Sequence, residues 1–86
     1  MYIIKIHYEA TKDNPNFAGE IHDWYTGKGG EHLSAKDEFP TTYFIQNYGY
    51  KTLAAARRGL KAAKELADWE TKKGYWIVTV EIIKVS

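Results

Sequence analysis

The chain has 86 residues, enough for one hydrophobic core and too few for two, so residues 1–86 are read as a single domain. Its hydrophobic fraction of 44% and charged fraction of 27% are ordinary globular values and argue against disorder. The chain contains no cysteine, which excludes a disulfide framework, a thiolate nucleophile and Cys-ligated zinc, and its net charge of +1 selects neither for nor against nucleic acid.

Two distributions say more than these totals. Three Trp, seven Tyr and three Phe give much buried area per side chain, which helps a small domain build a core; Tyr and Trp are also enriched at interfaces. Residues 1–43 carry four Lys against seven acidic residues, whereas residues 44–86 carry eight Lys or Arg against four. That polarity suits a chain that orients a partner. A strand pattern starting directly after Met1 and the lack of a long apolar run predict no signal peptide, no membrane span and a cytoplasmic location.

Tyr2 to Glu9 alternates, with Tyr2, Ile4, Ile6 and Tyr8 on one face and Ile3, Lys5, His7 and Glu9 on the other; it reads as a strand with the even face inward. Asp13-Asn14-Pro15-Asn16 is a turn. Ile21, His22, Trp24, Tyr25 and Thr26 then have strand character and predict a hairpin with the first strand, Gly19 marking a bulge. Gly27 to Phe39 is the least regular stretch, with three glycines among four residues at Gly27-Lys28-Gly29-Gly30. Within it, Ser34 is placed to cap a turn of helix at Ala35–Glu38, which Pro40 ends. Thr41 to Gln46 reads as a third strand and Asn47 to Tyr50 as a turn.

Thr52 to Glu70 is the one long helical segment, with Thr52 as N-cap. Ala55, Ala56, Gly59, Leu60, Ala62, Ala63, Leu66, Ala67 and Trp69 fill one half of its circumference; Arg57, Arg58, Lys61, Lys64, Glu65 and Asp68 fill the other. The alanines predict a helix seated close to its sheet. Gly59, worth about 1 kcal/mol less than Ala in a helix interior, predicts a tight contact beneath it. Lys72-Lys73-Gly74 supplies a basic last turn and a left-handed cap. Tyr75 to Val85 is the longest strand and is apolar on both faces, as in a central or doubly covered strand. The whole is predicted as α+β, a two-layer β-β-β-α-β sandwich with one long helix on a mainly antiparallel sheet. A right-handed crossover sets the last strand parallel to the first, in the order 3-2-1-4.

The chemistry-bearing residues are sparse. His7, His22 and His32 have no i, i+2 or i, i+4 histidine partner, and no metal, cofactor or catalytic residue is assigned; an enzyme would require Glu20, His22 and Asp23 to converge with another acid. Gly27-Lys28-Gly29-Gly30 lacks the fuller phosphate-loop pattern and reads as a connector. Two surfaces remain. Arg57, Arg58, Lys61 and Lys64, helped by Lys51, Lys72 and Lys73, form a helix face that suits a nucleic-acid backbone, although Lys61–Glu65 and Lys64–Asp68 are spaced to neutralise it in part. On the sheet, Ile3, Tyr75, Ile77 and Ile83 point away from the helix, joined by Tyr43 and Ile45 or Phe44. Such an apolar face is covered by another copy, by a foreign partner, or by the Gly27–Phe39 loop with Leu33 and Phe39 as plugs.

Thr52-Leu53 followed by Ala56, Lys61, Ala63 and Lys64 resembles the helix start of HicB-type antitoxin domains, which also run β-β-β-α-β; the acidic and Pro-Gly motifs of that family's first hairpin are absent. The segments YGYKTLAAARRGLKAAKEL and YWIVTVEIIKV give the chain a likeness in type to small orphan proteins of bacteriophages and mobile elements. That likeness implies a protein that binds and blocks a host macromolecule, CRISPR nucleases among them. The resulting expectation is a non-enzymatic protein-binding module acting through Trp24, Tyr48, Tyr50, Tyr75 and Ile77, with a protein partner or a homodimer and no membrane. The alternative is a nucleic-acid binder using Arg57, Arg58, Lys61 and Lys64.

Overall fold

A computed structural model of the chain describes residues 1–27, the backbone of 32–34, and residues 40–85. In chain order the elements are β1 (Tyr2–Ala10), β2 (Glu20–Tyr25), β3 (His32–Ser34), α1 (Thr42–Tyr48), α2 (Leu53–Lys72) and β4 (Trp76–Lys84). The strands form one sheet in the order β3-β2-β1-β4, with β1 antiparallel to both of its neighbours. The fold is α+β, as its patterning predicts.

The alternation of β1 sorts the core into two parts. Ile4 and Ile6 face α2, where they are buried with Tyr25, Val78, Ala63 and Ala67. The register sets Ile4 beside Ile82, Ile6 beside Val80 and Tyr8 beside Val78, so the helix-facing rows are apolar across β1 and β4. Ile3 points the other way and is buried with Trp24 and Phe44. Gly19 adopts a left-handed φ of +107° in the hairpin loop, and its carbonyl accepts the Ala10 N–H at 2.9 Å. It closes the hairpin and does not bulge the strand, since the β1–β2 register runs without interruption from Lys5–Trp24 to Glu9–Glu20.

α2 starts where the Thr52 side chain accepts the Ala55 N–H at 3.1 Å, and the chain leaves it through Gly74 at φ +87°. Ala56, Ala63 and Ala67 are its buried residues, so small side chains do bring the axis onto β4 and β1. The buried stripe is narrower than the apolar half-circle: Ala62 is exposed and Trp69 is 57% exposed. Lys73 Nζ lies 3.6 Å from the centroid of the Trp69 ring, an attraction between the cation and the ring face.

Thr41 to Gln46 is not a strand. The Thr41 side chain caps α1 by accepting the Phe44 N–H at 3.2 Å, and Phe44 is buried while Ile45 and Tyr48 pack beside it. Tyr48 lies four residues from Phe44 and three from Ile45, spacings that put the three side chains on one helical face, and a strand would have split them. α1 therefore covers the sheet face opposite α2. The chain then crosses between faces at Tyr50, whose N–H and C=O both bond Tyr2 (2.7 and 2.8 Å). With helices on both sides of that crossing, β4 returns antiparallel to β1 rather than parallel. The position of third strand in the order belongs to His32–Ser34.

Candidate partner-binding surface

The five aromatic and apolar residues singled out in the sequence separate into two groups. Trp24 is only 3% exposed and forms part of the outer-face core. Tyr48 is half-buried, its ring 5.1 Å from that of Phe44. Tyr50 is half-buried beneath Gly59. These three hold the fold together. Tyr75 and Ile77 are each 48% exposed at the beginning of β4.

The backbone carrying Tyr75 is fixed by the β1–β2 loop. Thr11 N–H donates to the Tyr75 carbonyl at 3.0 Å, the Asn14 side-chain amide donates to the same oxygen at 3.1 Å, and the Thr11 hydroxyl donates to the Gly74 carbonyl. Asn14 Oδ1 in turn accepts the N–H groups of Asn16 and Phe17 at 3.1 and 3.0 Å, an Asx turn of the kind its sequence favours. Phe17 stands 41% exposed, tilted against Trp76 with ring centroids 5.5 Å apart, and Trp76 meets Tyr8 edge-on at 5.8 Å. A shallow cleft of about 380 Å³ opens between the loop and the strand, lined by Asn14, Pro15, Asn16, Phe17, Tyr75 and Trp76. Phe17 is the member that sequence reasoning missed; its signal was a large apolar residue directly after a turn that fixes the backbone.

Between the core under α1 and the exposed Tyr75 and Ile77, the outer face is polar. Lys5 lies beside Glu81, and His7 lies between His22 and Thr79. His7 Nε2 and Glu20 Oε1 are 3.7 Å apart. Among the described residues, His22 Nε2 and Trp24 Nε1 are buried with no hydrogen-bond partner. Asp23 lies in register with Ile6 and so belongs to the helix-facing side, away from Glu20 and His22. Among the described residues no group of three or more His, Asp or Glu side chains is placed to hold a metal ion. Most of the Gly27–Phe39 stretch, with Lys28, Phe39 and Ala35–Glu38, lies outside the described residues. Leu33 pairs with Trp24 in the β2–β3 register.

Arg57, Arg58, Lys61 and Lys64 are all exposed. Neither Lys61–Glu65 nor Lys64–Asp68 forms an ion pair, although both spacings permit one; the side-chain ion pair of α2 and its cap is Lys73 with Glu70 at 3.4 Å. Lys N-terminal to its acidic partner is the weaker of the two i, i+4 orientations, so this basic face is less neutralised than the spacing predicted.

No protein-family model, curated protein or solved structure matches the chain. Among the described residues no helix is long and apolar enough to cross a membrane.

Proposed function

We propose that the chain is a small non-enzymatic protein-binding module that acts through Tyr75, Ile77 and the adjoining Phe17–Trp76 cleft. The observation that carries this reading is the exposure of Tyr75 and Ile77, 48% each, on a backbone pinned by Thr11 and Asn14. Large apolar side chains held rigid in water are costly unless something covers them, and a fixed backbone lowers the ordering cost of binding. The likeness in type to phage and mobile-element proteins supports a cytoplasmic host macromolecule as the target. The test compares partner recovery by the unaltered chain with recovery by a Tyr75→Ala/Ile77→Asp double variant. Recovery that is indifferent to the double substitution sinks the proposal.

One observation favours a second reading. The basic face of Arg57, Arg58, Lys61 and Lys64 is exposed and lacks its expected acidic partners, which suits a phosphate backbone. A nucleic-acid binder of this kind loses affinity steeply as salt rises, and charge reversal at Arg58 and Lys61 weakens it further.

A further inference from the structure

β4 is an edge strand, and its free edge is long. β1 takes the N–H and C=O groups of its odd-numbered residues: Val85 N–H donates to the Met1 carbonyl, and the Tyr75 carbonyl accepts the Thr11 N–H, each at 3.0 Å. By the alternation of an antiparallel ladder, Val78, Val80 and Ile82 turn their backbone groups outward. The Thr71 hydroxyl oxygen accepts the Val78 N–H at 3.0 Å, as that direction requires. Among the described residues, Val80 and Ile82 have no such cap. Of the devices that blunt an edge, β4 has the charges of Glu81 and Lys84 but neither proline nor bulge, and its register with β1 runs unbroken from Trp76 to Lys84.

We infer that this edge pairs antiparallel with β4 of a second copy of the chain, about a two-fold axis at Val80, joining the two sheets into one. The strand is self-complementary in that register. Val78 falls opposite Ile82, Val80 opposite itself, Ile77 opposite Ile83, Thr79 opposite Glu81, and Trp76 opposite Lys84. A centre at Glu81 sets that carboxylate against its own copy; a centre at Ile82 sets Glu81 against Ile83 and Val80 against Lys84. Both mismatch the cross-strand pairs that stabilise a sheet. The ladder needs Val80 N–H bonded to Val80 C=O in each direction, and Val78 and Ile82 exchanging both of their bonds, so on pairing the Thr71 hydroxyl gives up the Val78 N–H to the Ile82 carbonyl of the other copy.

The flank of α2 above the edge fits the same occupant. A groove of about 300 Å³ runs between helix and edge, lined by Leu60, Lys64, Ala67, Asp68, Val78, Thr79 and Val80. The two-fold axis brings two copies of α2 antiparallel to each other on one side of the joined sheet. Lys64 and Asp68 stand one turn apart on that flank and form no ion pair with each other. In the dimer, Lys64 of each copy faces Asp68 of the other, and Leu60, half-buried in the single chain, loses its contact with water. Ile77 belongs to both surfaces, but Thr79, Val80 and Glu81 lie outside the Tyr75–Phe17–Trp76 cleft, so substitutions at these three positions test the pairing without touching the proposed partner surface.

The test uses the lack of native cysteine. Full-length Thr79→Cys and Glu81→Cys chains, both altered at exposed positions, are mixed and oxidised. Opposed positions lie within disulfide reach, so the mixed disulfide should exceed the disulfide of either variant alone by about tenfold. In sedimentation velocity the unaltered chain should be a dimer that Val80→Pro weakens by about a hundredfold, since it removes ladder donors and bars close approach. The monomer should survive, because Val80 N–H has no partner in its own sheet. If Val80→Pro fails to fold, the cysteine pair decides by itself. A monomer at every concentration, a dimer that Val80→Pro does not weaken, or a mixed disulfide no more abundant than the self-disulfides overturns the inference.

Discussion

The phenol of Tyr50 lies directly beneath Gly59: a β-carbon at Gly59 would stand 2.5 Å from Tyr50 Cζ and 3.0 Å from Cε1. Tyr50 cannot retreat easily, because its N–H and C=O are both bonded to Tyr2. Helix propensity alone favours Gly59→Ala by about 1 kcal/mol, but overpacking costs about 1–3 kcal/mol or more. The variant should therefore lower stability in urea titration, on the order of 1 kcal/mol net. On a Tyr50→Ala background the same substitution should become neutral or stabilising, a non-additivity that a double-mutant cycle measures.

The seam of α2 offers a second test. Ala63 has no exposed surface and meets the Ile4–Ile6 side of the sheet. Ala63→Phe should destabilise by about 1–3 kcal/mol or more. Ala62→Phe, one residue along but exposed, should fall within about 0.5 kcal/mol of the unaltered chain. Equal effects in chemical denaturation would refute the placement of the seam.

On the opposite face Phe44 anchors α1. Phe44→Ala should cost about 3–5 kcal/mol and release α1, seen as early loss of amide protection over residues 42–48 in hydrogen exchange. Tyr43→Ala on the same helix, where the side chain is 69% exposed, should leave protection nearly unchanged.

Tyr8 gives the fold an alkaline limit. Its phenol is pushed up to about 12 by burial first, with the carboxylates of Asp23 and Glu70 adding to the effect. The folded state therefore holds this proton more tightly than the unfolded chain, whose tyrosines titrate at about 10. The stability tied to it is complete below pH 10 and lost as pH rises toward 12. Tyr8→Phe should flatten the fall in melting temperature across that window. An unchanged slope would mean that Tyr8 does not titrate there.

α2 was legible in the sequence because its evidence is local: a Thr cap, a run of small residues at helical spacing, and a closing glycine. β1 and β4 announced themselves by alternation, and the same alternation marked Tyr75 and Ile77 as pointing away from α2. α1 was misread because Tyr43, Phe44 and Ile45 favour strands intrinsically; what decides the matter is Phe44 entering a site made by Ile3 and Trp24, residues distant in the chain. The direction of β4 followed from that error. Trp24, Tyr48 and Tyr50 carry no local mark of burial, since an aromatic ring looks the same in a core and on an interface until its neighbours are known. Phe17 joins the candidate surface only because Asn14 folds the loop back onto β4.

The proposed function rests on the Tyr75–Ile77 end of β4, and the most direct measurement sets it against the basic face. The unaltered chain, a Tyr75→Ala/Ile77→Asp variant and an Arg58→Glu/Lys61→Glu variant, each first confirmed as folded, are used to recover partners from a nuclease-treated extract of the source cells at low and high salt. A protein partner should be retained by the chain at both salt concentrations and by the basic-face variant, and lost from the Tyr75/Ile77 variant. Retention by the Tyr75/Ile77 variant, with loss from the basic-face variant or at high salt, would contradict the account.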